Sequence, residues 1–493
     1  MTDSKRYNRI LQVIDDHLIP DAEARSQRGE VFTPPDLVRE MLFGLRKSKL
    51  ESGVNEIWGI NKTGDFFDDK ESDLVGGLKS EVWSNPDTKF LDPACGIGNF
   101  PIIAFYKLDY ELRKLDKWHD DETRRKHIIE NMLYMIELDK GNVATCRKLF
   151  KMIHPDAKPN ICCANTLSLT DADLTKSFGV NRFDVIMGNP PYQPSQLWEK
   201  FIVFSLTKLN KNGFIVFVVP TSWTSPTSDS WKSLKEKCML LINNAEYLKS
   251  DYFSTIGSTF SYFVVQDKLC EDTQTTIIYK KGGMFRENLH NIKFLPKYIT
   301  PETLSINKKV LINDQKSRFI RKDLGDKGGK FKPKANSTSK YAYITFIKPN
   351  GEPDIQYLSI QDPRQKDKKV LLFRNGYINP YYDDGNYGVG DNIHALTVDS
   401  KKTGQDIVKL FKSKLYTYIF NVNKHSQYNH GGLMDMVFRN VDKLDNFNDE
   451  SIYKYLDITK EEQDVIDKFL TKNKFNQTRK NKVGSKKTRR NRR

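Results

Sequence analysis

Between residues 29 and 268, short apolar runs alternate with amphipathic stretches of helical period, and this rhythm constrains the fold of the 493-residue chain more than any other feature. Strands separated by helical patterns of such length specify βαβ units, hence a parallel sheet covered on both faces. The pattern predicts strands at 89–92, 133–138, 160–164, 183–188, 214–219, 245–248 and 260–266, and helices at 100–115, 140–153, 197–209 and 231–241. Residues 1–28 read as one helix (7–18) and a connector, and the charged stretch 46–86 as an insertion. After about 270 the rhythm stops: strands shorten, and aromatics, Asn and Gly dominate. A second, α+β domain is expected over 270–471, interrupted by a Lys/Gly/Ser-rich linker at 321–340. A disordered basic tail is expected at 472–493.

Of the net charge of +16, the tail from Lys472 carries +11, leaving +5 on the rest. A mildly basic body with a strongly basic end suits a polyanionic partner, although a charge run alone is more often a solubilising or targeting segment. The six cysteines form no CxxC pair and read as reduced, with neither a zinc site nor a disulfide framework, and no metal is expected. With no apolar run of about 18 residues and a polar start, the expectation is an intracellular chain, cytoplasmic or DNA-associated, with no membrane span.

The chemistry is concentrated at strand ends. Asp92-Pro93-Ala94-Cys95-Gly96-Ile97-Gly98-Asn99-Phe100 lies where the first strand passes into a helix, a place where glycines permit a sharp turn and helix N–H groups are free. Glu137 ends the second strand and is placed to bond ribose hydroxyls. Asn165 ends the third and is placed to reach an adenine amino group. Either residue alone is more often a cap, but three such features at successive strand ends point to a site. The fourth strand runs into Asn189-Pro190-Pro191-Tyr192. Two successive prolines fix a rigid turn. That turn can aim the Asn189 side-chain oxygen and the Pro190 carbonyl at the two N–H bonds of a planar amino group, with Tyr192 stacked on its ring. Such an amine is a poor nucleophile, so positioning and electrostatics are the available levers.

These motifs, preceded by Phe32-Thr33-Pro34-Pro35, resemble the amino-methyltransferase family of DNA methyltransferases, and their order resembles its gamma subgroup, which methylates adenine N6. The resemblance covers about 29–268. It implies a Rossmann-like S-adenosylmethionine-dependent domain with a seven-stranded mixed sheet. It also implies S-adenosylmethionine as cofactor, bound by Thr33, Asp92, Ala94, Gly96, Gly98, Glu137, Asn165 and Asn189, with Asn189, Pro190 and Tyr192 catalytic. Phe253 is the implied aromatic beside the target base, with Tyr252 and Phe260 as alternates. A base inside a duplex cannot reach such a pocket and must be flipped out.

The C-terminal domain would then recognise the target, with Arg374, Lys424, Gln427 and Asn429 as candidate DNA contacts, since amide and cationic groups beside aromatics read bases and phosphates. The implied partner is double-stranded DNA with a specific adenine-containing site, methylated by a monomer, and a cognate restriction endonuclease is a further candidate partner. Three alternatives stay open: the same Asn-Pro-Pro-Tyr clamp acts on RNA base amino groups, it acts on protein glutamine amides, and a fused restriction-modification enzyme would add a nuclease. No convincing Asp…(Asp/Glu)-x-Lys nuclease pattern marks the last, so a stand-alone methylase is favoured.

Overall fold

The computed structural model describes residues 3–16, 32–47, 73–192, 196–225, 228–253, 259–269, 271–280, 283–290, 292, 295–297 and 299–312. It also describes 320–321, 340–348, 351–373, 379–390, 393–425, 437–438 and 444–472. Most of the 46–86 insertion, most of the 321–340 linker and the tail after Lys472 lie outside these residues. The chain divides into two units, Met1–Thr300 and Pro301–Arg493.

The first unit is built on nine strands: β1 Phe90–Asp92, β2 Leu133–Glu137, β3 Asn160–Cys163, β4 Phe183–Gly188, β5 Leu209–Pro220, β6 Lys237–Asn243, β7 Phe260–Leu269, β8 Gln274–Lys280 and β9 Gly283–Asn288. Their spatial order is β9-β8-β6-β7-β5-β4-β1-β2-β3. β7 runs antiparallel between β5 and β6, and β9 antiparallel to β8; the other pairings are parallel. Strands β1 to β7 make the Rossmann-like mixed sheet that the sequence implies. The sheet runs two strands further, because Thr276, Ile277 and Ile278 pair with Leu241, Ile242 and Asn243. That hairpin falls in the stretch expected to open the second domain: alternation marks it as strand, but does not say which sheet edge it joins.

β6 also departs from expectation, standing at 237–243 and not 245–248, after a short helix Asp229–Leu234 in place of one helix over 231–241. Flanked by β7 and β8, its run Cys238–Ile242 is mostly apolar on both faces, and such a run cannot be told from buried helix by periodicity. Cys238 is disulfide-bonded, whereas Cys95, Cys146, Cys162 and Cys163 are free, which corrects the reading of every cysteine as reduced. It stands where Lys237 pairs with Leu269 at the end of β7, a proximity that only the tertiary pairing creates.

Five helices of this unit matter for the site: α1 Asp3–Asp16, α2 Pro35–Phe43, α3 Asn99–Leu112, α4 Lys140–Ile153 and α5 Asp171–Phe178. α2 and α3 bury their apolar faces in one core cluster with β1, β2 and β7. Trp83 stacks on Phe90 at 5.3 Å and meets Phe43 edge-on at 5.3 Å, joining the end of α2 to β1. α5 opens on a capping box between Thr170 and Asp173. Beside it Asp171 accepts hydrogen bonds from Arg182 (2.9 Å) and Lys208, which hold its carboxyl down to about 2. The folded state therefore gains from this charge above the ordinary 3.8 and loses that gain as pH falls through about 2. Asp171→Asn is expected to flatten the acid limb of the urea midpoint between about pH 4 and pH 2; an unchanged limb would mean that the pairing adds nothing to stability.

The second unit is α+β. One sheet orders Ile320–Arg321, Ile393–Thr397, Lys368–Phe373 and Tyr381–Asp384; another orders Pro353–Leu358, Tyr341–Ile347 and Gly388–Val389. Helices Pro301–Val310, Lys401–Lys412, Lys414–Val422, Asp449–Tyr455 and Lys460–Lys472 accompany them. A buried ion pair, Lys369 Nζ to Asp383 Oδ2 at 2.6 Å, crosses the first of these sheets, with the same ammonium donating to the carbonyls of Arg364, Gln365 and Asp367. No described helix is long and apolar enough to cross a membrane.

Candidate active site

The C-terminal ends of β1, β2, β3 and β4 share one edge of the sheet. Asp92, the last residue of β1, is buried and accepts the Ala94 N–H at 3.1 Å. Burial pushes its carboxyl well above the usual range, and the nearby Glu137 adds to the rise. Gly96 has φ +54°, and a Cβ there would stand 2.7 Å from Cε1 of Phe32, so the loop passes directly under that ring. Its N–H donates to Glu137 Oε2 at 2.8 Å, and Oε1 accepts from the Asp139 amide at 2.8 Å. At the start of α3, Asn99 Nδ2 donates to the Thr33 carbonyl at 2.8 Å and ties the Thr33-Pro34-Pro35 segment to the glycine loop. Thr33 Oγ1 and Asn99 Oδ1 are buried without a hydrogen-bond partner among the described residues. Such atoms are costly unless something else bonds them.

β4 lies beside β1, with Leu91 opposite Ile186. Gly188, at φ +154°, comes so close that a Cβ would lie 2.8 Å from Asp92 Oδ1. Asn189 therefore leaves the sheet next to the glycine loop. The Tyr192 hydroxyl donates to Asn189 Oδ1, and burial pushes that phenol above its ordinary value, so it remains a donor. Pro190 is buried between them in sequence, and Asn189 and Tyr192 are half-buried. The Tyr192 ring packs on Phe260 at 5.2 Å, and Phe260 on Phe253 at 4.4 Å. Phe253 is 1% exposed and lies in the core cluster, so in this state Phe260 is the ring between it and Tyr192.

Residues 61–220, which hold both halves of this arrangement, match the family model described as N-6 DNA methylase. This region is similar to the N-6 DNA methylase family. An uncharacterized adenine-specific methylase of Mycoplasma pneumoniae is 24% identical, over 32% of this chain and 54% of its own length. The type II restriction enzyme and methyltransferase RM.BcgI of Heyndrickxia coagulans is 32% identical, over 31% of this chain and 22% of its own length. The chain thus spans about half or less of the length of these two relatives. The DNA-bound, ATP-dependent Type ISP restriction-modification enzyme LlaBIII is similar in structure with a TM-score of 0.48 and 12% identity, over 93% of this chain and 40% of that one.

In the first unit the structure brings Thr33, Asp92, Gly96, Glu137, Asn189 and Tyr192 to the same sheet edge. Asn165 stands apart as an exposed residue whose side chain accepts the Leu167 N–H at 3.2 Å and caps a short 3-10 turn. Its neighbour Thr166 is the inward residue, donating from Oγ1 to the Pro93 carbonyl at 2.5 Å. Sequence reading missed Phe32, Asn99, Thr166 and Leu138. Leu138 had a legible signal: a large apolar side chain just past a strand end, here 63% exposed beside Glu137. In the second unit Lys424 is half-buried, and Arg374, Gln427 and Asn429 lie outside the described residues.

Proposed function

We propose that the protein is a site-specific DNA methyltransferase that moves a methyl group from S-adenosylmethionine to N6 of an adenine swung out of the duplex. The observation that carries this reading is the abutment of Gly188 on Asp92, which puts the Asn189 clamp beside the glycine loop. The names of the relatives, an adenine-specific methylase and a restriction enzyme and methyltransferase, point to the same substrate.

The residues present fit the cofactor. The unpartnered Thr33 Oγ1 and Asn99 Oδ1 offer a hydroxyl and an amide oxygen to an amino-acid group, which brings its own carboxylate and ammonium. Glu137, which accepts two backbone amides, is a carboxylate able to accept ribose hydroxyls as well. Leu138 supplies an apolar surface for a purine face. When bound, S-adenosylmethionine supplies an electrophilic methyl on a sulfonium. The chain's part is to hold the nucleophile: the Asn189 oxygen and the Pro190 carbonyl accept the two N–H bonds of the target amine, concentrating its lone pair on nitrogen. Tyr192 covers the face of the flipped base, and such stacking is worth about 1–3 kcal/mol. Its hydroxyl already donates to the Asn189 amide oxygen.

Transfer of labelled methyl by the full chain to duplex DNA, to RNA and to a translation release factor tests the reading. Label is expected in duplex DNA alone, as N6-methyladenine in one sequence context that also reveals the target site. Label in either other acceptor and none in DNA would overturn it. Magnesium-dependent cleavage of unmethylated DNA would add a nuclease.

A further inference from the structure

Resting on that reading, we infer that the buried carboxylate of Glu40 is a positioning residue that couples the cofactor side of the pocket to its aromatic, base-side wall.

Glu40 is wholly buried on α2, among Leu37, Met41 and other apolar neighbours. An apolar side chain would be cheaper in such a place, since burying a carboxylate costs several kcal/mol unless its lone pairs are met. They are met from three separate segments. Oε1 accepts from the hydroxyl of Tyr247, from Asn243 Nδ2 at 3.1 Å and from the Tyr262 hydroxyl at 3.0 Å, while Oε2 stands 3.5 Å from the Tyr252 hydroxyl. Burial and the Glu40 charge push all three phenols above their ordinary value, so they stay protonated and donate.

The placement of these partners gives the network its role. Upstream of Glu40, the same segment carries Phe32 over Gly96 and Thr33 against Asn99. Downstream, Tyr252 closes a single π-helical turn, Leu248–Tyr252, and is followed directly by Phe253; Tyr262 lies two residues after Phe260. Any shift of α2 when the cofactor engages Thr33 is thus passed, through one rigid polar hub, to the two rings packed behind Tyr192. The Tyr252 limb is the longest of the contacts and the one that can shorten.

Hydrogen exchange on the full chain tests this without DNA. Amides of 248–253 are expected to exchange several-fold more slowly when sinefungin, a non-transferring cofactor analogue, binds the wild type. In Glu40→Gln, which keeps the shape but not the charge, that slowing is expected to fall by more than half, while sinefungin affinity stays within about twofold. Tyr252→Phe removes only the hydroxyl and is expected to do the same, and it decides the matter alone if Glu40→Gln fails to fold. Both variants are expected to lower single-turnover methyl transfer about tenfold at saturating cofactor, as groups displaced away from the chemistry do. The coupling is overturned if 248–253 does not respond in the wild type. It is equally overturned if the response survives in both folded variants, or if sinefungin affinity falls in parallel with it, the mark of a merely structural role. A wild type that shows the response yet methylates no DNA keeps the coupling and refutes the substrate reading.

Discussion

Asn189→Ala is expected to reduce single-turnover methyl transfer by about 10²- to 10³-fold, the cost of removing one preorganised polar group aimed at the reacting centre. The side chain offers the only side-chain amide oxygen in the Asn-Pro-Pro-Tyr corner, and Tyr192 already donates to it. The neighbouring prolines lock the backbone and bring no polar side chain, so neither can take over as acceptor. Cofactor affinity, read by calorimetry, should change by less than about threefold, since the Thr33, Gly96 and Glu137 contacts lie on other segments. An equal fall in affinity and rate would make Asn189 a cofactor or structural residue and would remove the clamp.

Glu137→Ala should produce the opposite split. Hydrogen bonds to a charged group contribute about 1.5–3 kcal/mol, so cofactor affinity should weaken by roughly 10- to 100-fold. The rate at saturating cofactor should stay within about threefold of wild type, because uniform binding lowers affinity without altering the chemical step. Part of the loss will arise in the free protein, where the carboxylate also holds the Gly96 and Asp139 amides. Glu137→Gln separates the two: it keeps one acceptor for the loop and should lie between wild type and alanine. Indistinguishable affinities for all three proteins would exclude the ribose role.

How far the sequence reveals such a site depends on where each residue's partners lie. β1 to β4 are legible because each is a short apolar run ending at a residue with its own chemistry, and parallel strands bring those ends together automatically. β6 is not, since a strand buried on both faces lacks the alternation that distinguishes it from helix. The hairpin β8–β9 is legible as strands but not as part of the first sheet, because pairing to β6 is a choice of edge. At the site, Gly96, Glu137 and Asn189 can be proposed from the strand-end motifs, and Asp92 from the family resemblance that those motifs carry. Glu40 cannot: between Arg39 and Met41 it looks like an ordinary polar turn of an amphipathic helix, and its tyrosines come from more than 200 positions away. Among the aromatics, sequence supplies both Phe253 and Phe260 near the right place, and only packing shows which ring meets Tyr192.

The reversed direction of β7 has a consequence for how this pocket can vary. Its first residue, Phe260, pairs with Pro220, the last of β5, so a chain entering the sheet meets chains leaving it. On the proposed function, the cofactor side of the site is made by exits and the base-side wall by an entrance. Lengthening or exchanging the segment that leads into that entrance would reshape the wall while every exit kept its register. On that function, exchanging the segment is expected to change acceptor preference more than donor affinity.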